Sequence, residues 1–148
     1  MKRLALAILL IAACSGSKQK QGGTTAGSGS GSQVVYAKKL SVLFGISQKD
    51  SSAEIFLQTT DETGKQVSYP VGTFQGTCQT VKPADEMKAL VAVDCMTGSA
   101  GTELQAAVSG GDIVVLKVAV QTGVTPDPMA REEVTRVKAP AGSSIEPG

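Results

Sequence analysis

The chain has 148 residues, with 14 basic against 13 acidic side chains, three cysteines and neither histidine nor tryptophan. Without imidazole, Ser-His-Asp and Cys-His sites are excluded within this chain, and a zinc site would rest on two cysteines and carboxylates at poor spacing. Basic residues are scattered, with no run longer than Lys38-Lys39, and the five aromatics are not interleaved with them, so no nucleic-acid footprint is visible.

The first fourteen residues carry the strongest signal. Lys2 and Arg3 precede an uncharged apolar block, Leu4 to Ala13, that ends at Cys14. This is the pattern of an export signal. Ten residues cannot cross a bilayer core that takes roughly 20. The run Ile11-Ala12-Ala13-Cys14 places a branched aliphatic and two small residues before a thiol. It resembles the lipobox of bacterial lipoproteins. The resemblance implies cleavage between Ala13 and Cys14 and a diacylglycerol thioether on Cys14. It also implies a lipid-anchored envelope location. Ser15 after the modified cysteine is compatible with the outer membrane under the sorting rule known for some Gram-negative lipoproteins.

Acylation of Cys14 leaves Cys78 and Cys95 as one pair in an exported setting, where a disulfide is expected. Closing that loop contributes about 3 kcal/mol in the chain-entropy model. The 17-position separation does not suit a redox dithiol of the C-x-x-C kind. Loss of Lys2 and Arg3 with the signal leaves 12 basic against 13 acidic side chains, a mature charge of about −1.

Residues 14–32 follow as lipidated cysteine and tether. Ser15 to Ser32 holds no large apolar residue, and its 18 residues predict an end-to-end distance of about 23 Å. Its alternating Gly27, Gly29 and Gly31 lack the strand before and the Lys-Ser or Lys-Thr after that a phosphate loop requires. A β domain is expected over 33–138, with a loose tail at 139–148.

Within the domain the apolar period is two. Leu40, Val42, Phe44 and Ile46 share one parity, and Ala53 to Thr60 leads through Asp61-Glu62-Thr63-Gly64 into Lys65 to Val71 as a hairpin. Pro70 suits an edge strand. Phe74, Gly76 and Cys78 share a face, and Gly76 marks a candidate bulge. Leu90, Ala92 and Asp94 alternate with Val91, Val93 and Cys95, so Asp94 points outward to the surface if Cys95 points in. Whether the cysteine bridge lies within one sheet or between two stays open. A loose turn is expected at Gly98 to Gly101, and Gly110-Gly111 signals a two-residue hairpin. Ile113 to Val120, the most apolar run, reads as a central strand. Asp127 and Pro128 suit the start of a helical turn, and Glu133 to Lys138 a last strand.

Seven or eight short strands predict a single antiparallel β-sandwich, with a small barrel as the alternative. The acidic neighbours Asp61-Glu62, Asp85-Glu86 and Glu132-Glu133 read as solvated turn residues, and Phe44 and Phe74 as core. Calcium at Asp61 and Glu62 lacks a spaced run of oxygen ligands. No catalytic residue, metal site or cofactor is implied. The reading that follows is a membrane-anchored, non-catalytic protein-interaction or structural module of the envelope. A small apolar ligand-binding protein is the alternative, and a carboxylate hydrolase would need two acids converging in a cleft.

Overall fold

A computed structural model describes residues 38–148. The lipobox, Cys14, the tether and Tyr36 lie outside the described residues.

Among the described residues nine strands form two sheets. They are β1 (Lys39–Gln48), β2 (Ser52–Asp61), β3 (Gln66–Gln75), β4 (Thr77–Val81), β5 (Val91–Thr97), β6 (Ala100–Ser109), β7 (Asp112–Gln121), β8 (Glu132–Val137) and β9 (Ser144–Pro147). One sheet runs β3-β2-β1-β9 and the other β4-β5-β6-β7-β8. Neither closes on itself, so the fold is a sandwich and not a barrel.

The inward parity of each strand builds one apolar core. Val42 and Phe44 of β1, Ile55 and Leu57 of β2, Val93 of β5, Leu104 and Ala106 of β6, and Ile113 and Val115 of β7 are buried together between the sheets. Phe74 and Tyr69 pack against this cluster. The β2–β3 hairpin closes as expected, with the Gly64 amide donating to the Asp61 carbonyl at 2.9 Å. Gly110 and Gly111 form the two-residue turn between β6 and β7, both at positive φ (62° and 84°), a geometry that costs other residues energy. Gly98 and Ser99 make a second turn of that length, tighter than the loose connection expected there. Strand β7 lies inside its sheet, and both Val114 and Val115 are buried.

Three expectations are corrected. Gly76 is not a ladder bulge: the register shift falls opposite Ile55 and Phe56, where Pro70 and Gly72 are paired and Val71 is the extra residue. Gly76 instead turns the chain, at φ 99°, from β3 in one sheet to β4 in the other. Gln48, the last residue of β1 in the sheet that the chain leaves, clips this corner. Its side-chain amide donates to the Gly76 carbonyl at 3.1 Å, and its oxygen accepts from the Cys78 amide at 3.0 Å. The tail at 139–148 is not loose, because β9 pairs in parallel with β1 and Ile145 packs on the core. β8 is therefore not the last strand.

The cysteines are opposite one another in the β4–β5 register and are joined, with Cα atoms 4.0 Å apart. The bridge thus lies within one sheet. It pins the short edge strand β4, which has a single neighbour, to the sheet interior.

Candidate functional site

The outer face of the five-stranded sheet departs most from the sequence pattern. Residues of β5, β6 and β7 on the outward parity, Ala92, Ala107, Val114 and Val118, are buried although they do not belong to the inter-sheet core. Two connections cover them. Residues 82–90, the first strap, carry a 3-10 turn at Asp85–Met87, and Met87 is only 1 % exposed. Burying that side chain contributes roughly 1.5–3 kcal/mol. Residues 122–131, the second strap, carry a 3-10 turn at Pro128–Ala130, capped by Asp127, whose Oδ1 accepts from the Met129 amide at 2.9 Å.

Polar groups lie beneath the straps. Glu103 and Gln105 on β6 are 7 % and 0 % exposed. Gln105 Nε2 donates to Glu103 Oε1, and Arg131 Nη1 donates to Gln105 Oε1 at 3.3 Å. The cation at one end fixes which way the amide faces: oxygen toward the guanidinium, nitrogen toward the carboxyl. Arg131 Nη1 also donates to the Met87 carbonyl at 2.8 Å, and Nε to the Pro128 carbonyl at 3.1 Å. One side chain therefore joins the two straps to each other and to the sheet.

Asp94 stands opposite Glu103 in the β5–β6 register. Its outward direction agrees with the alternation, but its Oδ1 is buried and has no protein hydrogen-bond partner, which corrects the expectation of a surface carboxylate. The two acids border a groove of about 330 Å³ lined also by Gln79, Val120, Val124 and Pro126. Burial pushes the Glu103 carboxyl above its ordinary value, and the charge of the facing Asp94 pushes in the same direction; the bond from Gln105 opposes them. An acid whose protonated form is favoured beside a second carboxyl is able to donate a hydrogen bond to it.

The acidic neighbours singled out from sequence are elsewhere. Asp61 Oδ1 accepts from the amides of Thr63 and Lys65 and from the Thr63 hydroxyl, which closes the turn and lowers its pKa from the ordinary value. Asp85 and Glu86 are exposed on the first strap. Glu132 pairs with Lys117, and Glu133 with Arg136, at the sheet surface. Among the described residues no group of three or more Cys, Asp or Glu side chains is placed to hold a metal ion. Glu103 and Gln105 escaped the sequence reading because outward parity normally means solvent. The available signals were Met87, an apolar residue stranded in a polar connection, and the Pro-Asp-Pro run before Arg131.

A second opening, of about 190 Å³, lies at one end of the sandwich, between Leu40, Thr59, Val67, Tyr69 and Val137. Comparison with known proteins gives no match among family models, curated proteins or solved structures.

Proposed function

We propose that this chain is a lipid-anchored bacterial envelope protein whose β-sandwich works without catalysis, as a protein-interaction or structural module. The observation that carries the anchor is the succession Lys2-Arg3, Leu4 to Ala13 and Ile11-Ala12-Ala13-Cys14. Ser15 favours the outer membrane, and the Gly/Ser-rich stretch to Ser32 supplies the tether.

Support for interaction through the surface comes from the second strap. Val124 is 58 % exposed and Met129 is 91 % exposed. Both sit on a segment that carries Pro126 and Pro128, whose fixed φ limits the entropy lost when such a loop is held by a partner. A flexible thioether presented to solvent suits an apolar contact on another protein. The opening at the sandwich end, about 190 Å³, is smaller than the roughly 300–1,000 Å³ usual for small-molecule pockets, and the groove of about 330 Å³ is bordered by two carboxyls, which ranks the apolar-ligand alternative second.

Two measurements test this reading. Cells fed labelled palmitate should label the wild-type chain and not Cys14→Ser, and the variant should leave the membrane fraction; a variant that stays labelled and membrane-bound overturns the anchor. Photo-crosslinkers at Val124 and Met129 should capture a discrete envelope protein in intact cells. Capture that is no greater than from a crosslinker at exposed Thr73, on the opposite sheet, overturns the interaction surface.

A further inference from the structure

The outer-face acid pair carries a device that the proposed anchor and contact surface do not need. Asp94 Oδ1 is buried without a protein donor, and Glu103 is 7 % exposed directly opposite it. A buried acceptor left without a donor costs roughly 1–3 kcal/mol, and two facing carboxylates that are both ionised cost more. A single proton removes both penalties. Gln105 occupies Glu103 Oε1, leaving the other oxygen of that carboxyl to carry the proton toward Asp94.

We propose that Glu103 holds a proton donated to Asp94 Oδ1, and that this proton latches the second strap over the sheet. Both ends of the strap rest on the pair. At one end Val124 and Pro126 form the wall of the groove that Asp94 and Glu103 border. At the other, Arg131 is tied to Glu103 through Gln105.

Ionisation of both acids places two charges under this wall, and such a pair requires water or a cation. The charged groups around it do not supply one. Arg131 is committed to the Met87 and Pro128 carbonyls and to Gln105. Asp127 turns its carboxylate back to its own strap at Met129. Lys82, Asp85, Glu86 and Lys88 of the first strap are exposed. From β4 the pair meets neutral Gln79, and from β7 neutral Val120. Water then enters through the groove, the 122–126 wall lifts, and the strap that displays Val124 and Met129 loosens. The latch is closed in acid and released as pH rises. It stands whether or not the displayed residues meet a partner.

Hydrogen exchange of the strap amides tests the latch, read on the full chain as protection factors corrected for the intrinsic pH dependence of exchange. Between about pH 4 and about pH 8, protection over 122–131 should fall by roughly tenfold or more, while β6 and β7 keep theirs. Glu103→Gln mimics the protonated acid, with an amide to donate to Asp94 and an oxygen to accept from Gln105. It should hold the strap at its acid level of protection across the whole range. Asp94→Asn, which removes the repulsion from the other side, should also flatten the profile and guards against a folding defect in the first variant. Wild-type protection that does not change with pH, or both variants following the wild-type curve, overturns the latch.

Discussion

The guanidinium of Arg131 reaches across the outer face of the five-stranded sheet to the carbonyl of Met87, 2.8 Å away and 44 positions earlier in the chain. That single hydrogen bond makes one cover out of two connections that have no strand pairing with each other. Beneath it lie Met87, Ala92, Val114 and Val118, a small apolar layer separate from the core. The sandwich is thus three-layered on one side, and its third layer depends on side chains.

Arg131→Ala removes the donors to Met87, Pro128 and Gln105 together, and leaves two buried acceptors, Gln105 Oε1 and the Met87 carbonyl, short of a partner. Bonds to a charged donor contribute about 1.5–3 kcal/mol each, and those sharing one side chain are not additive. A loss of roughly 2–4 kcal/mol in urea unfolding is expected. Arg131→Lys keeps the charge but not the fork, and should recover less than half of it. An unchanged midpoint in the alanine variant would show that the straps are held by apolar burial alone.

Two carboxyls shape the pH dependence with opposite signs. Glu103 has a folded-state pKa raised above its ordinary 4.5, chiefly by burial, so the folded state favours its protonated form. Stability falls as pH rises from that value through the raised one, and is level beyond it. Asp61 is lowered from 3.8 by the Thr63 hydroxyl and the amides of Lys65 and Thr63, so its contribution is present above 3.8 and is lost as pH falls through the lowered value. Asp61 lies in a surface turn, partly open to solvent, and its effect should be the smaller. Urea midpoints across the acid range should therefore rise from strong acid to a maximum near the ordinary carboxyl values, then decline. Glu103→Gln should remove the decline and leave the acid limb. A decline that persists in this variant assigns it to another group.

The core and the cover were unequally legible in the residues themselves. Period two in Leu40 to Ile46, the near-continuous apolar run of Ile113 to Val120, and Gly64 and Gly110-Gly111 as turns are local properties of the chain, and the sheets follow them. Strand β9 has no such mark: Ser-Ile-Glu-Pro is too short to show a period, and what places it is the exposed edge of β1 and the room for Ile145 on the core. The acid pair was hidden for a different reason. Alternation says which way Asp94 and Glu103 point, but not what lies over them, and the cover comes from straps outside both strands. The one long-range link the residues did announce was Cys78 to Cys95, where pairing followed from the reading of Cys14, while its place within one sheet needed the register.

Replacing both Cys78 and Cys95 by alanine frees edge strand β4 from its cross-link. The chain-entropy model gives a loss of about 3 kcal/mol for a loop of this length, to which two small core voids add. Gln48 still holds the corner beside β4, so local exchange at 77–81 should increase more than at β5. Thermal unfolding with and without reductant gives the same comparison in the wild-type chain. A variant as stable as the oxidised protein would mean that the Gln48 clip and the ladder alone fix β4.

Gly76 gives the sharpest steric test of the corner. A Cβ added there would meet the Met96 carbonyl oxygen at 2.1 Å, on a backbone at φ 99° that side chains rarely adopt. The obstacle is backbone of the neighbouring strand, not a movable side-chain end, so Gly76→Ala must displace either the corner or the end of β5. Such overpacking costs roughly 1–3 kcal/mol, with about 1 kcal/mol or more added for the backbone conformation. Gly110→Ala is the control, because it shares a positive φ of 62° and has nothing within 4 Å of the new carbon. Its loss should be confined to the conformational part, about 1 kcal/mol. Equal losses in the two variants, measured by urea unfolding, would mean that the corner yields freely and that the β3 to β4 crossing is not fixed by the close approach of Gly76 to Met96.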